Sequence, residues 1–359
     1  MKQTLLLATC CIALFEGGCL HPTIGPKSLP HDRAAYSAGL SDSWKEQMLL
    51  NIVKLRYTDP PTFLDISNVV MSYTLTQGAT AAGTITPWNT GSGAALGVNG
   101  TFSNSPTITY SPLTGSKFIQ GLLTPLPATA VFGAIQNGVP ADLIMLSTVV
   151  SINGLKNQQA TLDGVTPADP EFDQARKLLR KVQLSGGVRT FAKPDPKGPT
   201  TVVAIRKADI SPETMAEIRE LRGLLKLSPD AEEFSLVQAP VSTSDTEIAI
   251  LTRSVLSVMQ NMAADVQVPD EDLAKTRAWP GYEKDRANAI PDTARMIRIH
   301  SSKQRSPEAF VSVNYRNSWF WIDDGDLQSK GVFLQLMNLF TMADTSTPAP
   351  PPVVTIPSR

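Results

Sequence analysis

Three observations predict an α+β fold for this chain of 359 residues. An amphipathic helical stripe opens the folded part, a long stretch without charge alternates with the period of a strand, and the second half interleaves helical stripes with short apolar strands. The predicted order is an N-terminal helix, a long uncharged antiparallel β-hairpin with short helices, and a mixed α/β region with antiparallel strands. The corresponding limits are 1–18 for a signal peptide, 19–40 for a Pro/Gly-rich tether, 41–155 for the helix and hairpin, 156–344 for the mixed region and 345–359 for a disordered Pro-rich tail.

Leu20 to Leu40 carries Pro22, Gly25, Pro26 and Pro30 without apolar periodicity, which is the composition of an extended tether. Ser41, Asp42 or Ser43 then caps a helix from Trp44 to Tyr57, with Trp44, Met48, Ile52 and Leu55 on one face and Leu49 and Val53 widening it. Asp59-Pro60-Pro61 stops this helix.

Between Asp65 and Asp142 the only charged side chain is Lys117. Leu96, Val98, Phe102, Ile108 and Tyr110 share one face of an extended strand, and Gly97, Asn99, Thr101, Ser103, Ser105, Thr107 and Thr109 share the other. Upstream, Val69, Met71, Tyr73 and Leu75 oppose Ser72, Thr74 and Thr76, while Gly78 to Gly93 reads as a flexible connection. The result is a hairpin that is apolar on one side and small, polar and neutral on the other. Two uses fit it. Each subunit donates the hairpin to a shared membrane barrel, whose strands need about 9 to 11 residues of this alternation; or the hairpin is half-buried in a soluble sheet or against a neighbouring subunit. A lone hairpin in hydrocarbon is excluded, because its open edges leave backbone groups unpaired.

Short helices follow at Lys117 to Leu123 with Ser116 as cap, Ala128 to Gln136 ending near Gly138, and Ala141 to Ile152 ending near Gly154; all are expected to pack on the first helix. Asp169-Pro170 opens a helix with Phe172, Ala175, Leu178, Leu179 and Val182 inside, Arg176, Lys177, Arg180 and Lys181 outside, and Gly186 at its end. Strands are expected at Gly187 to Ala192, Thr201 to Arg206 and Phe234 to Gln238. Helices are expected from Ser211-Pro212, with Met215, Ile218, Leu221 and Leu225 inside, and over Arg253 to Ala264. The last strands are Met296 to His300, Phe310 to Tyr315 and Ser318 to Ile322, with Asn317 in a tight turn, before a helix from Asp326 to Met342.

The formal net charge of −1 argues against a nucleic-acid partner. His21 and His31 fall in the tether, which leaves His300 as the folded candidate for proton transfer, without visible partners for a triad. No G-x-S-x-G, H-E-x-x-H or Walker-type loop is present, so no catalytic residues, cofactor or metal are assigned. Asp323-Asp324-Gly325-Asp326 lacks a bidentate acid at the twelfth position, where Leu334 stands, and reads as a turn with Asp326 capping the next helix. Trp319 and Trp321 share a strand face suited to stacking on a sugar. Phe320 and Ile322 make the opposite face apolar, which points instead to a buried central strand.

A basic start at Met1-Lys2, an apolar run from Leu5 to Phe15, and Gly17-Gly18 before Cys19 resemble the lipobox of bacterial lipoproteins, with Glu16 where that box usually carries Leu. The resemblance implies that Cys19 is the lipidated first residue, leaving no second cysteine for a disulfide. Leu20 after the cysteine implies sorting to the outer membrane, facing the periplasm. Three further passages, LSDSWKEQMLLNIVKLRYTDPPTFLDI within Tyr36 to Ile66, SPTITYSPLTGSKFIQGLLTPLP at Ser105 to Pro127 and VNYRNSWFWIDDGDLQSK at Val313 to Lys330, are similar to a family of hypothetical outer-membrane lipoproteins of unassigned function.

The expectation is therefore a non-enzymatic lipoprotein, held to the membrane through its N-terminal lipid, with a structural or assembly role. Its interface would be the set Val69, Met71, Tyr73, Leu75, Leu96, Val98, Phe102, Ile108 and Tyr110, and its partners further copies of itself or an envelope protein complex. The competing expectations are a periplasmic binding module for envelope glycan or peptide, using Trp319 and Trp321, and thirdly an envelope hydrolase.

Overall fold

The computed structural model describes residues 29–70, 73–84, 93–104, 107–194, 200–205, 211–282 and 295–343. These fall into two compact units, one within Met1–Ser43 and Ile66–Ser111, the other within Trp44–Asp65 and Pro112–Arg359. Helices, antiparallel sheets and a mixed sheet together make the fold α+β.

Helix α1 spans Leu29–Arg56. The residues from Leu29 to Leu40, expected as extended tether, are thus helical. Pro30 sits in the first turn, where a missing N–H breaks no helical bond, and no proline follows until Pro60. Strands β1 (Leu64–Val70), β2 (Tyr73–Thr84), β3 (Gly93–Asn104) and β4 (Thr107–Pro112) form two ribbons, β1 with β4 and β2 with β3. Residues 78–84, expected as a connection, belong to β2. Gly, Ala and Thr give weak local strand signal, so their conformation follows from pairing with β3 rather than from propensity.

In the second unit, α2 (Ser116–Leu123), α3 (Ala128–Gln136) and α4 (Ala141–Thr148) precede a six-stranded sheet of order β6-β5-β12-β11-β10-β9. Its strands are β5 (Val149–Ile152), β6 (Leu155–Lys156), β9 (Val188–Lys193), β10 (Thr200–Ile205), β11 (Glu233–Val237) and β12 (Glu247–Thr252). Only β11 and β12 run parallel. Helix α4 was expected to continue to Ile152. It gives way at Val149 to β5, where β-branched Val149, Val150 and Ile152 favour the extended chain that pairs with β12. Strand β12 and the small hairpin β7 (Gln159–Thr161) and β8 (Gly164–Thr166) were not foreseen.

Helices α5 (Pro170–Leu184) and α6 (Pro212–Leu224) join α3 and the sheet in one core around Phe132, Phe172, Leu221, Phe234 and Ile250. Ser211 caps α6 by accepting from Thr214 N at 3.2 Å. Arg176, expected on the outer face of α5, is buried and paired with Asp173 at 2.7 Å, because its aliphatic stem lies along the core while the guanidinium meets an acid one turn back.

A second core gathers α1, α7 (Val255–Ala264), α9 (Leu327–Ala343) and the antiparallel sheet β13-β15-β14 (His300–Ser302, Ser318–Asp323, Ala309–Tyr315) around Ile52, Met259, Phe320, Phe333 and Phe340. Of the short helices, α2 contributes Leu122 to this core, while α3 lies in the other. Strand β13 starts at His300, later than expected, after the buried Met296, Ile297 and Ile299. Short helix α8 (Asp270–Ala274) follows α7. No helix among the described residues is long and apolar enough to cross a membrane.

Candidate assembly interface

Every residue of β2 has a partner in β3, from Tyr73 opposite Asn104 to Thr84 opposite Gly93. Directly paired residues of an antiparallel ribbon share a face, and the face alternates at each step. The register therefore places Tyr73, Leu75, Ala79 and Ala81 with Phe102, Val98 and Leu96 on one face, and Thr74, Thr76, Thr80 and Thr84 with Ser103, Thr101 and Asn99 on the other. Gln77, opposite Gly100, and Asn104 are the polar members of the first face. A slip of one residue would mix the two sets.

Among the described residues β2 and β3 pair with no third strand, so each keeps an outer edge of backbone donors and acceptors. A two-stranded ribbon is at best marginally stable in water by itself. On β4, Ile108 and Tyr110 leave 39% and 54% of their surface accessible, so apolar side chains of the same arm lie uncovered. Of the sequence-derived interface, Val69 lies on β1, Tyr73 and Leu75 on β2, Leu96, Val98 and Phe102 on β3, and Ile108 and Tyr110 on β4. Met71 and Cys19 lie outside the described residues.

The ionisable groups of the second unit are used differently. Arg253, next to the Ser254 cap of α7, is 2% exposed, and burial pulls its pKa down to about 10. Its guanidinium donates to the carbonyls of Leu146 at 2.9 Å, Ser147 at 3.0 Å and Gln158. The Tyr282 hydroxyl donates to Gln158 Oε1 at 2.6 Å, with burial raising its phenol pKa. At the end of α7, Asp265 Oδ2 accepts from Met296 N at 3.0 Å and Ile297 N at 3.2 Å, while Oδ1 has no hydrogen-bond partner among the described residues. Burial pushes its pKa up to about 7, against the pull of Arg295 and Arg56. Arg56 donates to Pro280 O at 2.9 Å and stacks 5.0 Å from the Trp279 ring. Sequence reasoning missed this network. Its one visible signal was charge embedded in apolar runs, Arg253 after Ile248-Ala249-Ile250-Leu251 and Asp265 after Met262-Ala263-Ala264.

Trp319 and Trp321 lie half-buried on one face of the central strand β15, with Phe320 and Ile322 buried on the other. The Arg305 guanidinium lies 5.5 Å from the Trp319 ring, and His300 stacks at 5.4 Å on Trp321. Each of the two rings thus has one cationic or aromatic neighbour within the fold. His300 faces Gln267, its Nδ1 3.3 Å from Oε1. In the acidic turn, Asp326 accepts from Ser329 N at 3.1 Å, Asp323 accepts from Gly325 N at 2.8 Å, and Lys330 pairs with Asp324 at 2.6 Å. These are the bonds of a turn and a helix cap. No group of His, Cys, Asp and Glu suited to a metal occurs among the described residues.

A cleft of about 370 Å³ opens between Leu55, Pro60, Pro61, Leu162, Gln260 and Trp279. Asp59 at its rim is already bonded to Tyr315 and Arg316. The arm differs from these sites in that, among the described residues, β2 and β3 pair with no third strand and Ile108 and Tyr110 of β4 stay exposed. The chain matches no family model, no curated protein and no solved structure.

Proposed function

We propose that this chain is an outer-membrane lipoprotein, acylated at Cys19, whose role is structural: it assembles with other envelope subunits through the uncharged arm formed by β1 to β4. The observation that carries this reading is the β2–β3 register, which sorts an already chargeless sequence into an apolar and a small polar face, with no third strand on either edge among the described residues. A hydrophobic face on an edge-exposed ribbon is a hazard for a monomer and an asset for a subunit. The acyl chain would hold the copies in one plane, raising their effective concentration for each other.

The test compares the full chain with a deletion of Val69 to Tyr110 in detergent, reading mass by light scattering after size exclusion. The full chain is expected to run as an oligomer and the deletion as a monomer; a deletion that still oligomerises overturns the interface. Cys19→Ser is expected to abolish labelling by a fatty-acid probe, and equal labelling of both chains overturns the anchor.

A further inference from the structure

We infer that the partner of the arm is a second copy of the same chain, and that the β2–β3 hairpins of several copies close edge to edge into one transmembrane barrel around a polar lumen. This rests on the assembly reading above and specifies its product.

Length supports it first. Each strand has 12 residues; at about 3.3 Å per residue and a tilt of about 40°, such a strand rises roughly 30 Å, the thickness of a bilayer's hydrocarbon core. Charge agrees, because no ionisable side chain of Asp, Glu, Lys, Arg or His occurs between Asp65 and Lys117. Neighbouring copies then meet without like-charge repulsion, and no charge enters the hydrocarbon. The register supplies the third argument, since it gathers Leu75, Ala79, Ala81, Leu96, Val98 and Phe102 on the face that lipid would cover. Thr74, Thr76, Thr80, Thr84, Asn99, Thr101 and Ser103 fall on the face that water would fill, and Gln77 and Asn104 are the polar exceptions on the other.

Edge geometry selects copies of the same chain over an unrelated partner. When hairpins stand side by side about one rotation axis, β3 of each copy runs antiparallel to β2 of the next, so the up-and-down order continues across every junction. One junction is too small to stop there. An edge of about 40 Å by a sheet thickness of about 10 Å buries roughly 800 Å² counted over both partners, below the 1,200–2,000 Å² of stable pairs. Ring closure satisfies every edge at once, as hydrocarbon demands. About eight strands make the smallest barrel, so about four copies or more are required.

The experiment reconstitutes the acylated full chain into phosphatidylcholine vesicles holding a small fluorescent dye, with conductance in planar bilayers as a second readout. Val98→Asp and Ala79→Asp place a charge on the apolar face, and Asn99→Asp places one on the other face. Gln77→Leu removes a polar group from the apolar face. The inference expects dye release by the wild type, at least tenfold slower release with Val98→Asp and Ala79→Asp, and undiminished release with Gln77→Leu. Asn99→Asp is expected to keep conductance and favour cations. Oligomers that form in detergent but release no dye overturn the barrel while leaving the assembly reading intact, as do equal effects of charge on both faces. A monomer under every condition overturns both.

Discussion

The hydroxyl of Tyr315 donates to Oδ2 of Asp59, a residue 256 positions earlier in the chain. Arg316 donates to the same oxygen at 2.9 Å, and its guanidinium lies 4.8 Å from the Tyr57 ring. The stop signal of α1 and the turn between β14 and β15 are thereby fastened at one carboxylate. The Tyr315 bond, ahead of Arg316, holds the Asp59 carboxyl below its ordinary range. Tyr315→Phe should cost about 1 kcal/mol, the net value of one hydrogen bond to a partly exposed acceptor, read as a lower urea midpoint with an unchanged slope. The pH dependence has a definite sign. A depressed carboxyl contributes stability above its unfolded pKa of about 4 and loses it as pH falls toward the folded value, so Tyr315→Phe should lose less stability than wild type below about pH 4.

Arg253 closes a joint between three segments, because its guanidinium reaches the carbonyls that end α4 and the carbonyl of Gln158, while its own N–H bonds Thr148 O at 2.7 Å. No shorter or unforked cation serves all of these acceptors. Arg253→Met keeps the bulk but removes the bonds donated to Ser147 O and Gln158 O in a dry interior and leaves Leu146 O with Asn157 Nδ2, at an expected cost of about 3 kcal/mol. Arg253→Lys should recover part of that. Chemical denaturation monitored by tryptophan fluorescence checks both, and equal stability of Arg253→Met and wild type would show the joint to be idle.

How far the sequence foretold this molecule depends on where each signal resides. Helix α5 was legible from Asp169-Pro170 to Gly186 because the opening proline, the stripe and the terminator are local, and the turn at Arg316 and Asn317, with φ of 47° and 63°, was legible as a break between two apolar strands. Strand β12 was not, since Glu247-Ile248-Ala249-Ile250-Leu251-Thr252 is a short apolar run that periodicity cannot classify. The far half of β2 was hidden for another reason: Gly78 to Thr84 is strand only because β3 lies opposite. At the candidate interface the apolar set was legible from the period of two. The pairing that puts Leu75 beside Phe102 and Ala79 beside Val98 is a long-range fact. The Arg253 and Asp265 network was beyond reach, because a sequence does not say which backbone groups will be buried without partners.

Gly281 sits where neither the backbone nor the space admits a side chain. Its φ is +51°, and a Cβ built there would fall on the Arg56 guanidinium and within 2.6 Å of Ala264 O. Arg56 has no room to yield, being fully buried with Trp279 against it. Gly281→Ala therefore combines an unfavourable backbone conformation with overpacking, and should destabilise by about 2–4 kcal/mol. Thermal unfolding of this variant beside Gly39→Ala, where an added Cβ meets nothing within 4 Å, separates the clash from the general effect of losing a glycine.

Asp265 makes stability depend on pH in the opposite sense to Asp59. Burial lifts its pKa from 3.8 to about 7, so between those values the folded chain holds a proton that the unfolded chain has released. Linkage then requires stability from this group to be full below about pH 4 and to decline as pH rises through 7. The decline should be on the order of 1–3 kcal/mol between pH 5 and pH 8, since Arg295 and Arg56 offset part of the burial cost of the anion. Asp265→Asn cannot ionise, retains an oxygen for the Met296 and Ile297 N–H groups, and should flatten the profile across that interval. Urea midpoints at pH 5, 6, 7 and 8 for both chains give the comparison. Parallel profiles would mean that the carboxyl stays charged throughout, held by its arginines more strongly than burial opposes it.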